Sequence, residues 1–371
     1  MNKTTYTHVE IRHHQERLEC ALEQVMQEMK TLSGEGERLD AVQSDILDTI
    51  RDHIGHQGKR LRPLVFIAGY KAYTTHIDEQ VYRAAISIEL LHDFILVHDD
   101  IVDNADMRRG HPSLQRYLEM TVGTDAARAR SDAFALVAGD LIYTCAMHTF
   151  LGIDADAGRV TRALRELTRA GIHTAMGQFH EMSLIRRGID TVEEEEVFSV
   201  YERKTAQYSF AAPLAAGAIL GGAPHEDVDA LRRSAVGLGR GFQLYDDLID
   251  CLAQPEDTGK DAMGDLFDGV KTIPLVRLYR QATEEQRQWL ARREGTRTLN
   301  DEDARRLQRM LYEYGIPSRL EQEATKLYED ALDEIKDVLP SRDAFSLLLR
   351  LMFSLFGTHM RYLHQEEGRM S

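Results

Sequence analysis

Residues 90–110 read LLHDFILVHDDIVDNADMRRG. An apolar run, Phe94 to Val97, leads into three aspartates, Asp99, Asp100 and Asp103, and the adjacent arginines Arg108 and Arg109 follow. Carboxylates crowded together repel one another, and burying them is costly unless something positive neutralises them. Residues 78–106 contain no Gly or Pro, and Gly110-His111-Pro112 is a stop signal, so a helix is expected over 78–106. On a helix, positions i and i+4 point the same way and i+1 flanks them. The D-D-x-x-D spacing therefore makes a carboxylate claw one turn tall.

A second stretch, GFQLYDDLID at 241–250, repeats the arrangement with Asp246, Asp247 and Asp250. One such cluster reads as a solvated acidic face. Two copies, each preceded by apolar residues, read as a site for a hard cation with oxygen ligands. Mg²⁺ suits it, because this ion keeps waters and uses substrate phosphates to complete its octahedron. Cations for those phosphates are at hand. GKRLRP at 58–63 holds Lys59, Arg60 and Arg62, ERKTAQYS at 202–209 holds Lys204 and Thr205, and GKDAMGDLFDGVKTIP at 259–274 holds Lys260 and Lys271. Each alone reads as a surface charge. Spread around two acidic claws they are hard to explain as surface decoration.

The rest of the chain reads as helix. Amphipathic or apolar periodicity predicts helices over 13–32, 40–54, 126–151, 158–187, 225–254, 271–293, 301–313, 317–338 and 341–365. Thr191-Val192-Glu193-Glu194 fits a capping box opening the next helix, which accounts for the acidic run there. No alternating strand pattern with hairpin turns stands out. The glycines of GLGRG, 237–241, have no preceding strand and the wrong spacing for a dinucleotide loop, so they are read as letting helices approach beside the second claw. Length alone would suggest two or three domains, but no Pro/Ser/Gly linker divides the 371 residues. The expectation is one all-α domain over 1–371, with a motif-bearing core at 40–293.

The formal net charge of −16 argues against a nucleic-acid partner. It leaves room for a small phosphorylated substrate held by local cations. Cys20, Cys145 and Cys251 follow no ligand spacing, which fits a reducing cytosol. The N-terminus has no apolar signal core. The longest apolar stretch is read near AAPLAAGAILGG, 211–222, too short to span a bilayer. A soluble cytoplasmic protein without a membrane span is expected.

These motifs resemble those of the trans-isoprenyl diphosphate synthases, the head-to-tail prenyltransferases. GKRLRP, HDDIVDNADMRRG, the Lys204-Thr205 pair, FQLYDDLID and the late lysines stand in the family's order, from Gly58 to Pro274. The resemblance implies an all-α helical bundle around a deep central cavity, usually a homodimer. It implies that the apolar run holds a hydrocarbon tail while the aspartates hold its diphosphate through two to three Mg²⁺ ions. Carried over residue by residue, Asp99, Asp103 and Asp246 are metal ligands, and Asp100, Asp247 and Asp250 are acceptors on the ions or just behind them. Lys59, Arg62 and His92, with Arg109, bind the diphosphate of isopentenyl diphosphate. Arg108, Lys204 and Lys260 hold the allylic diphosphate, and Thr205 and Gln243 sit near the developing cation. Lys271 is a further substrate-binding candidate, but the chain departs from the pattern here. Many members read G-K-x-T-L-P where this chain has Gly269-Val270-Lys271-Thr272-Ile273-Pro274, a shift of one position or about 100° around a helix.

Product length follows from the same resemblance. Phe94, Leu91 and Ser87 precede Asp99 on one helix face at successive depths. Phe94 as the floor, with no two-residue insertion in the first claw, resembles the short-chain C20 type. The non-aromatic Ile95 argues against the tighter C15 pocket of one farnesyl class. Geranylgeranyl diphosphate is the expected product, with farnesyl (C15) and geranylfarnesyl (C25) diphosphates as alternatives. A class I terpene cyclase would lack GKRLRP as a second diphosphate site. A regulatory subunit of a heteromeric prenyltransferase would often lose a claw, and this chain keeps both.

Overall fold

The periodic stretches fold as helices in the computed structural model, which describes residues 3–34, 41–55, 58–108, 110–122, 127–252, 264–296 and 301–355. The fold is all-α. Among the described residues the strand pairing is confined to an antiparallel hairpin, Met107–Arg108 with His111–Pro112. Two compact units share the chain: Met1–Leu164 with Gly217–Gly222, and Arg165–Ala216 with Ala223–Ser371.

The first unit is built around α4 (Glu79–Val102), which packs against α1 (Lys3–Ser33), α3 (Leu61–Lys71) and α6 (Ala127–Leu151). α5 (Leu114–Val122) joins α2 (Ala41–Gly55) to α6. Asp78 starts α4 by accepting the N–H groups of Gln80 and Val81 at 3.0 and 3.2 Å. Ile86, Ile88, Leu90 and Val97 bury its apolar side. The helix ends at Val102, short of the expected residue 106, because Asn104 turns the chain in the left-handed region at φ 50°. Near that end α6 comes very close: a Cβ on Gly139 would lie 2.5 Å from the His98 ring.

One expectation is corrected in this unit. The stretch Ser131–Leu151 of α6 is long and apolar enough to cross a bilayer, with mean hydropathy 1.4, and is longer than residues 211–222. Asp132 and Asp140 interrupt it in sequence and hide its length from a search for unbroken apolar runs. Packing on α4 and α5 buries 44 % of its most apolar window, and Leu136, Val137 and Leu151 remain exposed.

A buried histidine in α1 gives this unit a pH dependence. His14 Nδ1 lies 2.9 Å from the Tyr82 hydroxyl. Burial, and then the nearby charge of Lys71, lowers its imidazole from 6.5 to about 4. The folded chain therefore binds fewer protons than the unfolded chain between those values. The stabilisation is complete above pH 6.5 and is lost as the pH falls toward about 4. His14→Gln is expected to flatten the unfolding midpoint across that window, which a pH series of thermal melts would read.

The second unit contains α7 (Ala157–Ile185) from residue 165 on, α8 (Glu194–Val200), a π-helical segment Tyr201–Ala211, the first part of α9 (Ala212–Gly221), and α10 (His225–Leu252). Helices Gly264–Asp268, Ile273–Gln281, Glu284–Arg293, Asp301–Glu313 and Ile316–Val338 follow, and 342–355 are helical. The remainder of the expected 341–365 helix lies outside the described residues, as do residues 253 and 254. α10 packs along Ile316–Val338 and along the π-helical segment. Gly239 permits the second contact, since a Cβ there would meet the Ala206 Cβ at 2.3 Å. That agrees with reading GLGRG as a close-approach motif.

Two boundaries differ from expectation. α8 opens later than Thr191: the Glu196 carboxylate accepts the Glu193 N–H at 3.0 Å, while Thr191 closes a short 3₁₀ turn, Ile189–Thr191. The expected helix 271–293 is two helices. Thr283 caps the second, with its hydroxyl accepting from Gln286 N–H and the Gln286 side chain accepting from Thr283 N–H.

Candidate active site

Each aspartate cluster occupies the C-terminal end of a long helix. Asp103 is the C-cap of α4, and Asp250 lies in the last turn of α10. The negative end of a helix dipole adds to the carboxylates there, so both positions favour a cation.

In the first cluster Asp99 is half-buried and Asp103 exposed, while Asp100 is only 1 % exposed. The hairpin folds Arg108 back onto Asp100. Its Nε donates to Oδ1 at 2.8 Å, and its Nη2 donates to the same oxygen. Buried Gln115 clamps the turn, donating to the carbonyls of Asp100 and Ala105 at 3.1 and 3.0 Å. Arg109 lies outside the described residues.

The second cluster repeats this division. Asp246 and Asp250 are half-buried, and Asp247 is 2 % exposed. The Tyr201 hydroxyl donates to Asp247 Oδ2, and Gln243 Nε2 donates to Oδ1 at 2.7 Å. Thr205 Oγ1 donates to Gln243 Oε1 at 2.8 Å. The N–H of Ile273 donates to the Tyr201 oxygen at 3.0 Å. Asp265 joins the group, its N–H donating to Asp250 Oδ2 at 3.3 Å. Burial, and then the charges of neighbouring aspartates, push the Asp247 and Asp265 carboxyls well above the usual carboxylate range. A divalent cation beside them would relieve that repulsion. The donor set is all carboxylate oxygen, as Mg²⁺ requires. Among the described residues no three acidic, His or Cys side chains are grouped closely enough to hold a metal ion by themselves.

The basic residues are treated unevenly. In GKRLRP, Lys59 is exposed and Arg62 half-buried, but Arg60 turns inward and is 1 % exposed. His92 is buried within α4. These belong to the first unit. In the second, Lys204 Nζ pairs with Glu181 of α7. Lys271, expected at a diphosphate, is 4 % exposed instead. Its Nζ donates to the carbonyls of Gly269 and Ile185 and pairs with Glu294. It braces the end of α7 against the segment before Ile273. Lys260 lies outside the described residues.

On α4, Ser87 is fully buried, its hydroxyl donating to Ala84 O at 2.7 Å, and Leu91 is half-buried. Phe94 contacts the rings of His98 and of Tyr143 on α6, at centroid distances of 4.6 and 5.1 Å. Sequence reading missed Tyr201 and Tyr143. Neither has a motif, and only the three-dimensional contacts bring them to the site residues.

A family model described as polyprenyl synthetase matches residues 44–311, which include both clusters and the Lys204-Thr205 pair. The chain belongs to the polyprenyl synthetase family. It is 33 % identical over 227 residues to a geranylgeranyl diphosphate synthase of Methanosarcina mazei, covering 61 % of this chain and 65 % of that one. It is 32 % identical over 231 residues to a geranylfarnesyl diphosphate synthase of Natronomonas pharaonis, covering 58 % and 63 %. The chain thus matches a little under two thirds of the length of these relatives. The fold resembles a geranylgeranyl pyrophosphate synthase of Corynebacterium glutamicum, solved with isoprenyl diphosphate and magnesium. The TM-score is 0.83 at 26 % identity, covering 92 % of this chain and 98 % of that one.

Proposed function

We propose that the chain is a short-chain trans-prenyltransferase that joins isopentenyl diphosphate head to tail to an allylic diphosphate, with geranylgeranyl diphosphate as product. The observation that carries this is the pair of D-D-x-x-D clusters, each with its middle aspartate turned inward and its outer two left accessible. Asp99, Asp103 and Asp246, with Asp250, would hold Mg²⁺. When bound, Mg²⁺ would supply Lewis-acid stabilisation of the leaving diphosphate.

The chain's own residues do the rest. Arg108 and Lys204 hold the allylic diphosphate by charge-assisted hydrogen bonds, and Lys59 and Arg62, with His92, hold that of isopentenyl diphosphate. The allylic C–O bond breaks, its electron pair leaving with the diphosphate. The isopentenyl double bond then forms the new C–C bond, and a proton passes to the released diphosphate. Thr205 and Gln243 place oxygens near the developing cation, and apolar residues exclude water that would quench it. A homodimer belongs to this reading, supported by the apolar residues exposed on α6, and so does a cytoplasmic location. The test is product analysis after incubating the purified chain with Mg²⁺, isopentenyl diphosphate and each of the C5, C10 and C15 primers. C20 product is expected. No condensation on any primer would reject the enzyme in favour of a regulatory subunit.

Product length rests on Phe94, because relatives of nearly equal identity are named for C20 and C25 products. The aromatic contact of Phe94 with Tyr143 would close the tunnel five residues before Asp99, with buried Ser87 deeper along the helix. Phe94→Ala is expected to shift product to C25 or longer. Because Phe94 is only half-buried, the stability cost should stay below the about 3–5 kcal/mol of a fully buried Phe. An unchanged product distribution in a folded, active variant would remove the basis for C20.

A further inference from the structure

We infer that Tyr201 is a positioning residue of the second aspartate cluster, holding Asp247 fixed so that Asp246 and Asp250 are presented to the cation. This rests on the metal role proposed for that cluster.

The geometry is a directed hydrogen-bond chain. Ile273 N–H donates to the Tyr201 oxygen, and the Tyr201 hydroxyl donates to Asp247 Oδ2. From the other side Thr205 donates to Gln243, and Gln243 donates to Asp247 Oδ1. Both oxygens of Asp247 therefore have a protein donor, and almost none of the side chain is exposed. Tyr201 is itself buried, with the Phe198 ring edge-on at 5.7 Å. A buried phenol must find partners for its O–H, and this one spends its proton on the cluster. Tyr201 and Thr205 both come from the π-helical segment, and Ile273 opens the helix that follows Lys271. Two elements thus converge on one carboxylate of α10. Fixing Asp247 fixes the last turns of α10, and Asp246 and Asp250 are carried with them. In the first cluster Arg108 does the same for Asp100, but a guanidinium there can also face phosphate. Tyr201 carries no charge and faces only protein, so its contribution is orientation.

The experiment compares the wild-type chain with Tyr201→Phe, which keeps the ring and removes the hydroxyl. Mn²⁺ is titrated in the presence of inorganic diphosphate, and free Mn²⁺ is counted by electron paramagnetic resonance. Partners hydrogen-bonded directly to metal ligands are worth about 10- to 100-fold in metal affinity. Tyr201 acts one residue further back, through Asp247, so the Mn²⁺ Kd should rise toward the low end of that range, about 10-fold. The metal concentration for half-maximal rate should rise in parallel, while KM for isopentenyl diphosphate stays put. A folded Tyr201→Phe chain with Kd and metal dependence unchanged would overturn the inference. If that variant does not fold, Tyr201→Met, which also removes the hydroxyl and keeps a long apolar side chain, takes its place. A rise in Mn²⁺ Kd there supports the inference, and an unchanged Kd overturns it. A wild-type chain that binds Mn²⁺ but yields no prenyl product on any primer would instead reject the proposed function.

Discussion

Turnover should fall by about 100- to 1000-fold in Asp246→Ala or Asp99→Ala, with the helical fold intact. A metal ligand at a leaving diphosphate contributes several kcal/mol of transition-state stabilisation, and each tenfold in rate is about 1.4 kcal/mol. Stability should move the other way. Both aspartates sit among like charges at the negative end of a helix, and removing one relieves repulsion. The unfolding midpoint of the metal-free chain should hold or rise. Asp247→Ala should separate the two effects, because it leaves the buried Tyr201 hydroxyl and the half-buried Gln243 amide without their acceptor. Its stability should drop, by about 1–3 kcal/mol for the buried Tyr201 donor left unmade and by less for Gln243. Near-normal turnover of Asp246→Ala at limiting Mg²⁺, or equal melting of the Asp246 and Asp247 variants, would remove the distinction between outward and inward aspartates.

Arg60→Ala should be the most damaging change outside the two clusters. Arg60 takes the left-handed conformation at φ 49° and is all but fully buried. Its Nε and Nη2 grip both oxygens of Glu19 on α1 at 2.8 and 3.1 Å. Its Nη1 donates to Glu89 on α4 at 3.1 Å, and Nη2 reaches the Ile54 carbonyl of α2 at 3.4 Å. Truncation strands Glu89, itself 2 % exposed. Breaking such a buried pair costs about 3–5 kcal/mol, which lowers the melting midpoint by roughly 10 °C for a unit of this size. The double variant Arg60→Met, Glu89→Leu should recover most of that loss, since a buried pair can be replaced by apolar groups at little cost. It should not recover the KM for isopentenyl diphosphate, because Lys59 and Arg62 take their direction from the anchored Arg60 between them. Thermal melts and initial rates on the single and double variants check both halves.

The two clusters were legible in sequence because their chemistry depends on spacing along one helix. Which aspartate turns inward was not, because that depends on Arg108 and on Tyr201, forty-six residues from Asp247. The inward turn of Lys271 was hinted at by its one-position shift, but its partners Ile185 and Glu294 are distant in sequence. The break at Thr283 could have been read, since Thr283-Glu284-Glu285-Gln286 is a capping box in plain sight. The end of α4 at Val102 could not, because Asn104 stops the helix by backbone conformation rather than by a Gly or Pro. The π-helical segment was invisible for a similar reason. Over eleven residues its apolar pattern is too short to separate a wider helical turn from an ordinary one.

That wider turn makes residues 201–211 a joint whose length matters more than its composition. Each peptide there pairs five residues on rather than four, so the segment carries an extra residue relative to the ordinary helices on either side. Losing a residue anywhere inside it would let an ordinary helix run straight through from α8 to α9. Every side chain beyond the cut would then rotate relative to Tyr201, and Thr205 and Tyr201 could no longer meet α10 from one side. Substitutions along this stretch can be graded by the contacts they remove, whereas a single deletion would undo the hydrogen bonds that reach Asp247 all at once while leaving a longer and more regular helix behind.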